Sequence, residues 1–336
     1  VIEKEHTVNE STPEPMTAEQ AGWFAENFDR LIGNVESVVL GKNHILRLAF
    51  TTMLSEGHLL LEDAPGTGKT SLARAIAQTV DGTSSRIQFT PDLLPGDVTG
   101  MSVYDQGRGV FEFHPGPIFA NVCLADEINR ASPKTQSALL EVMEESRVTV
   151  DGESHQVPVP FMTIATQNPI EQAGTYRLPE AQLDRFMMKT SLGYPDAAST
   201  MRILEGVRVS AHHRRIPAIL GLDILTEMVH VAKLVHLEPA LLDYVSRLVD
   251  ATRSAPEVRL GVSIRGALAL LRASMTWAAA QGRTYVLPDD IKLLAEPVFA
   301  HRLVLDPEAE FDGVSGSSII ARVLLEVVPP AERAQV

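Results

Sequence analysis

The chain has 336 residues, with 43 acidic against 29 basic side chains and a formal charge of −14, a balance that argues against a surface built mainly to follow nucleic-acid backbone. The lone Cys123 excludes an intramolecular disulfide and fits a reducing compartment. The polar stretch Val1 to His6 reads as no secretory signal, and the most apolar run, Ala267 to Ala280, is broken by Arg272, so a cytoplasmic protein without a membrane span is expected. In chain order, residues 1–17 read as a loose polar tail carrying Pro13 and Pro15. Trp23, Phe24, Phe28, Leu31, Ile32 and Val35 recur at helical spacing and predict a helix over 18–36. The short apolar turn Val38 to Lys42 leads to a second helix near 43–55. Leu59-Leu60-Leu61 predicts a buried strand, followed by a glycine-bearing turn and a helix from Lys69.

A second strand is expected at Ser85 to Phe89. Residues 91–117, rich in Pro and Gly around Val103-Tyr104 and Val110 to Phe113, read as a hairpin inserted between core elements. Asn121 to Glu127 predicts a third buried strand ending in two acids, before a helix over 133–145. Arg147 to Val150 and His155 to Val159, with Asp151-Gly152 as the turn signal, predict another hairpin. Phe161 to Thr166 and Met187 to Leu192 predict the fourth and fifth strands. Alternating strands and helices imply an α/β fold with a parallel sheet flanked by helices. Beyond Pro195 only helices are expected, near 196–208, 222–235, 239–253, 263–281 and 288–301. The division therefore falls into a core over 18–194 and a helical domain over 195–336.

The chemistry concentrates in Glu62-Asp63-Ala64-Pro65-Gly66-Thr67-Gly68-Lys69-Thr70-Ser71. A strand, a loop bearing Gly66 and Gly68, and a helix N-terminus together converge backbone N–H groups and a positive dipole end on an anion. Lys69 would reach the β- and γ-phosphates of a nucleoside triphosphate, and the Thr70 hydroxyl would ligate Mg²⁺. The phosphate-loop pattern asks for Gly where Asp63 stands; Asp tolerates left-handed backbone, so the turn is still expected to close. Asp126, at the tip of a neighbouring strand, can hold the Mg²⁺ with its water shell. Glu127 can act as base on the attacking water, provided that the strand ends at Asp126, because adjacent strand residues point to opposite faces. Asn168, at the tip of the fourth strand, can hydrogen-bond the γ-phosphate and the lytic water. Arg185, in Leu183-Asp184-Arg185-Phe186, is placed to stabilise charge forming on phosphorus. Arg265 opens a helix of the second domain, where a cation could report the γ-phosphate and close the lid. His212 to Arg215 reads as a solvated loop, and Gly313 to Gly316 falls short of a nucleophile elbow.

These residues resemble the MoxR family of AAA+ ATPases. The resemblance is carried by the Glu62 to Thr70 loop, Leu124-Ala125-Asp126-Glu127-Ile128-Asn129-Arg130-Ala131, Ala165-Thr166-Gln167-Asn168-Pro169 and Leu183 to Phe186. Glu171 to Tyr176 and Leu178 to Ala181 are characteristic of that family in particular. It covers roughly residues 30 to 305 and implies an AAA+ P-loop core followed by an all-helical lid. Within it, Lys69 and Thr70 would be Walker A, Asp126 and Glu127 Walker B, Asn168 sensor 1, Arg185 the arginine finger and Arg265 sensor 2. Val39-Leu40-Gly41 would lie against adenine, 91–117 would be the helix-2 insert and 146–160 the pre-sensor-1 hairpin. The implied protein is a hexameric ring with ATP between neighbours, acting as a chaperone-like ATPase on a protein partner, often one with a von Willebrand factor A domain. A nucleic-acid motor, a transcription activator or a metal-chelatase motor subunit on the same fold are the competing readings, and the net acidity disfavours nucleic acid.

Overall fold

The structure is a computed structural model that describes residues 14–64, 66–168, 176, 178–207 and 216–330. Pro65, the Glu171 to Thr175 part of the family motif and the His212 to Arg215 loop lie outside the described residues.

Two helices come first, α1 (Ala18–Glu36) and α2 (Asn43–Leu54). Thr17 caps α1 by accepting from the Gln20 backbone N–H, while the Gln20 side chain returns the bond to Thr17. Strand β1 (Leu59–Glu62) then feeds α3 (Lys69–Thr79), and β2 (Ser84–Gln88) follows. The insert holds a short helix, α4 (Pro95–Thr99), and an antiparallel hairpin of β3 (Gly100–Asp105) and β4 (Val110–Pro115). Next come β5 (Val122–Asp126), α5 (Pro133–Glu145) and a second hairpin, β6 (Arg147–Val150) with β7 (Glu153–Gln156). Both turn residues of that hairpin, Asp151 and Gly152, have positive φ. The two-residue loop closes at once, so β7 begins two residues earlier than the sequence suggested. The core ends with β8 (Met162–Gln167), α6 (Glu180–Leu183) and β9 (Met188–Thr190).

Five strands form one parallel sheet in the order β2-β5-β8-β1-β9. Its side chains alternate strictly between two apolar clusters. Leu59, Leu61, Val122, Leu124, Met162 and Ile164 face one side, with α1, α2 and α3. Leu60, Cys123, Ala125 and Ala165 face the other, with Val98 of α4 and Leu139, Leu140 and Val142 of α5. A period of two in each strand thus supplies both faces of a sheet covered on both sides.

The rest is helical: α7 (Ala197–Val207), α8 (Leu222–Ala232), α9 (Pro239–Ser254), α10 (Ile264–Ala280), α11 (Pro288–Phe299), α12 (Pro307–Phe311) and α13 (Gly316–Glu326). Several features depart from the sequence reading, α12 and α13 among them, since both lie beyond the last helix expected. A small antiparallel ladder of β10 (Val258–Leu260) and β11 (Val304–Leu305) sits among these helices. The tail ends before residue 17, because Met16 is buried and its N–H donates to the Leu234 carbonyl at 3.0 Å. Among the described residues the helical part also has no separate core: one apolar cluster runs from the sheet through α1 and α2 into α8, α9, α10, α11 and α13. No helix among the described residues is long and apolar enough to cross a membrane.

Candidate functional site

The loop between β1 and α3 is shaped by two glycines. Gly66 has φ +84° and Gly68 φ +98°, a region that a side chain enters only with strain. Gly68 is the N-cap of α3 and offers no side chain to the first helical N–H groups. The helix therefore presents Lys69, Thr70 and Ser71 at an uncapped, anion-attracting end. Lys69 Nζ donates to the carbonyls of Asp63 at 3.2 Å and Ala64 at 3.3 Å.

Asp63 does not play the part expected of it. It is absent from the residues with positive φ and is buried. Its carboxylate accepts from Ser191 Oγ at 2.9 Å, Leu192 N–H at 2.6 Å and Gly193 N–H at 2.8 Å. Its own N–H donates to the Gln167 carbonyl at 3.2 Å. An acidic side chain is wanted here as an acceptor for buried N–H groups at the exit of β9, and not for its tolerance of a left-handed turn.

Across the loop, β5 stops at Asp126, and Glu127 turns out of the strand with φ +58° and ψ +49°. That left-handed residue is strained for a side chain, at a cost of order 1 kcal/mol. It brings two consecutive acids to one side of the sheet. Thr166 of β8 braces both: its hydroxyl donates to Asp126 Oδ1 at 2.7 Å and accepts the Glu127 N–H at 2.9 Å. Asp126 Oδ2 accepts from Arg86 Nη2 at 2.7 Å, and Glu127 Oε2 accepts from Gln88 Nε2 at 2.8 Å and Arg130 Nη1 at 3.0 Å.

These groups line a cavity of about 390 Å³. Gly66, Gly68, Lys69, Thr70 and Ser71 form one wall, with Asp126, Glu127, Arg86 and Gln88 opposite. The donor set suits a triphosphate with a hard cation: backbone N–H groups and an ammonium for phosphate oxygens, and the Thr70 hydroxyl with the Asp126 carboxylate as oxygen ligands for Mg²⁺ and its waters. Arg86, Gln88 and Thr166 went unnoticed in the sequence. The signal available was their position, since Arg86 and Gln88 alternate on a strand that pairs directly with β5.

Two of the expected cations lie elsewhere. Arg185 Nε donates to Glu144 Oε2 at 3.0 Å, and the Arg265 guanidinium contacts the other oxygen of the same carboxylate. Neither arginine lines the cavity beside Lys69. Burial pushes the Glu144 carboxyl up, but its bonds to Arg185 and Arg265 outweigh that and hold it below the usual range. The backbone around Arg185 is bolted to the helical domain. Asp184 accepts from the Ser263 hydroxyl at 2.9 Å and from Arg302 Nε at 2.8 Å, and buried Arg302 also donates to the Phe186 carbonyl at 2.7 Å. Ser263 is the N-cap of α10, whose second residue is Arg265, so the two arginines are fixed to one rigid junction.

Asn168 is buried just past the end of β8 and does not line the cavity. Val39 is buried in the apolar cluster, outside the cavity lining. Gly41 has φ +70°, and a Cβ there would meet Ser199 Oγ at 2.5 Å, so this turn is pressed against α7.

Comparison with known proteins places these features in a family. Residues 58–188 match the model of the ATPase family associated with various cellular activities (AAA), and residues 250–323 match the AAA lid domain. The chain is 43% identical to the uncharacterized protein YeaC of Bacillus subtilis, over 93% of this chain and 99% of that one. It is 40% identical to the chaperone MoxR1 of Mycobacterium tuberculosis, over 94% and 86%. A crystal structure of a Cytophaga hutchinsonii protein, 38% identical, superposes with a TM-score of 0.87 over 93% of this chain and 98% of its own.

Proposed function

This chain belongs to the MoxR family of AAA+ ATPases, and from that premise we propose that it binds and hydrolyses ATP in a ring in which each active site is shared between two neighbouring copies. The observation that carries this reading is the separation of Lys69, Asp126 and Glu127 in one cavity from Arg185 and Arg265 on Glu144. A phosphoryl-transfer site calls for both sets around one γ-phosphate, and a neighbour's arginines could complete the cavity.

In this reading the Gly66–Gly68 loop and the α3 N-terminus hold the phosphate oxygens, and Lys69 leaves its loop carbonyls to pair with them. Val39 and Gly41 flank adenine. Thr70 and Asp126 would hold Mg²⁺, which when bound neutralises charge on the phosphates. Glu127 takes a proton from the attacking water while Asn168 orients it. Arg185 and Arg265, from the adjacent copy, meet the charge that builds on the transferred group. The ring, a hexamer in the family pattern, would remodel or activate a protein partner, with a von Willebrand factor A domain protein as the leading candidate. Similarity to a protein named as a chaperone supports the client-directed part.

Two variants test the hydrolytic reading. Lys69→Ala is expected to lose nucleotide binding in a direct titration. Glu127→Gln is expected to keep binding while phosphate release falls by about 10²–10⁴. Wild-type turnover in Glu127→Gln would remove Glu127 as the base.

A further inference from the structure

Arg86 stands inside the phosphate cavity on the very carboxylate assigned to the metal. Its guanidinium donates to Asp126 Oδ2 at 2.7 Å, and the same nitrogen donates to Gln88 Oε1 at 2.7 Å. The Asp126 side chain is only 12% exposed, whereas that of Arg86 is 51% exposed. The other carboxylate oxygen, Oδ1, is taken by the Thr166 hydroxyl. Both oxygens of Asp126 are therefore engaged. Oδ1 is held by a neutral group of the neighbouring strand, and Oδ2 by a half-exposed cation whose charge stays solvated on its outer side. A hydrated dication binding beside Thr70 needs an Asp126 oxygen for its water shell, and two cations on one oxygen repel each other.

We propose that Arg86 is a built-in counter-cation for Asp126, which Mg²⁺ must displace, so that guanidinium and metal compete for one carboxylate. The device would keep Asp126 neutralised while the cavity is empty. It would also make metal entry, rather than nucleotide entry alone, the event that frees Arg86. Its position on β2, two residues from the Gln88 that holds Glu127, puts the grip on both acids on a single strand. The proposal rests on the nucleotide reading above and deepens it.

The test is the Mg²⁺ dependence of nucleotide binding in the full chain, read with a fluorescent non-hydrolysable ATP analogue. In Arg86→Gln the half-saturating Mg²⁺ concentration is expected to fall about three- to fivefold, the range set by losing a partly exposed ion pair. In an Asp126→Asn background the same substitution is expected to leave it unchanged, because the shared carboxylate is gone. Thermal melts of each variant confirm folding. An unshifted or raised Mg²⁺ requirement in Arg86→Gln overturns the proposal. So does an equal shift in the Asp126→Asn background, which would mean that Arg86 acts only on the general charge of the cavity. Wild-type protein that bound no nucleotide at any Mg²⁺ level would remove the nucleotide reading itself and this proposal with it.

Discussion

The phosphate cavity and the Glu144 cluster are both charged, both stand at ends of core elements, and differ in what each is missing. The cavity gathers a lysine, an uncapped helix start and two acids, with Arg86 and Arg130 already committed to those acids. The Glu144 cluster gathers Arg185 and Arg265 on one carboxylate and has no phosphate loop. Their mountings differ too. The cavity acids hang from the sheet through Thr166, whereas the arginine junction is fixed to the helical domain through Ser263 and Arg302. Arg185 and Glu144 themselves belong to the core, with Phe186 buried against the sheet, so a motion of the helical domain would carry Arg265 first and leave the acids in place. Under the shared-site reading, lid movement in one copy would be felt at the phosphate of the next.

The largest effect that could break this division belongs to Arg185. Arg185→Ala is expected to lower turnover by about 10³ or more, the scale of a finger supplied across an interface, while nucleotide affinity in the intact cavity changes little. Mixing Arg185→Ala with Glu127→Gln subunits should recover part of the activity, since each supplies what the other lacks. If co-assembled mixtures recover none at any ratio, the two clusters do not meet across an interface.

One buried histidine ties β8 to the end of α5 that carries Glu144. His58, just ahead of β1, accepts the Thr163 N–H at Nδ1 (3.0 Å) and bonds the Met143 carbonyl through Nε2 (2.9 Å), one residue before Glu144. Those partners assign the proton to Nε2 and leave the ring neutral. Burial lowers the His58 pKa to about 4, partly opposed by its bond to Met143. Between pH 6.5 and about 4 the unfolded chain therefore holds a proton that the folded chain refuses. The stability contributed by neutral His58 is full above pH 6.5, falls as the pH drops through this window and levels off below it. The loss is about 3 kcal/mol. Denaturant midpoints measured from pH 7 to pH 4 should show that slope, and His58→Gln should flatten it. Buried His301, lowered by burial and by Arg302, adds a slope of the same sign. An unchanged slope in His58→Gln would assign the whole effect to other groups.

Most of the fold was legible because its signals are local. The Leu59 to Leu61 run, the two glycines, the acid pair after Leu124 and the helical spacing of the second half each lie within a few residues of one another. The ladder of β10 and β11 escaped because each strand is only two or three residues long and its partner is remote. The site was legible where one segment carries it and opaque where two segments meet. Asp63 was read for its backbone, because its true partners stand 128 to 130 residues away. Arg265 and Glu144 are 121 residues apart, so nothing near either announces the other. Arg86 carries no local signal of its own, and it meets Asp126 only because the sheet order sets β2 beside β5.

The smallest effect is the most informative about the arginine cluster. Glu144 is partly exposed, with 43% of its side chain accessible, so its ion pairs contribute at most about 1 kcal/mol to stability. Its consequence should lie in alignment: without the carboxylate, two guanidiniums at short range repel and spread. Glu144→Gln is expected to lower turnover about fivefold, a loss of roughly 1 kcal/mol in transition-state stabilisation. Nucleotide affinity and melting temperature should stay close to wild type, since the residue lies outside the phosphate cavity. A rise in turnover would reverse the interpretation, because Glu144 would then be restraining the arginines from a neighbour's phosphate instead of presenting them to it.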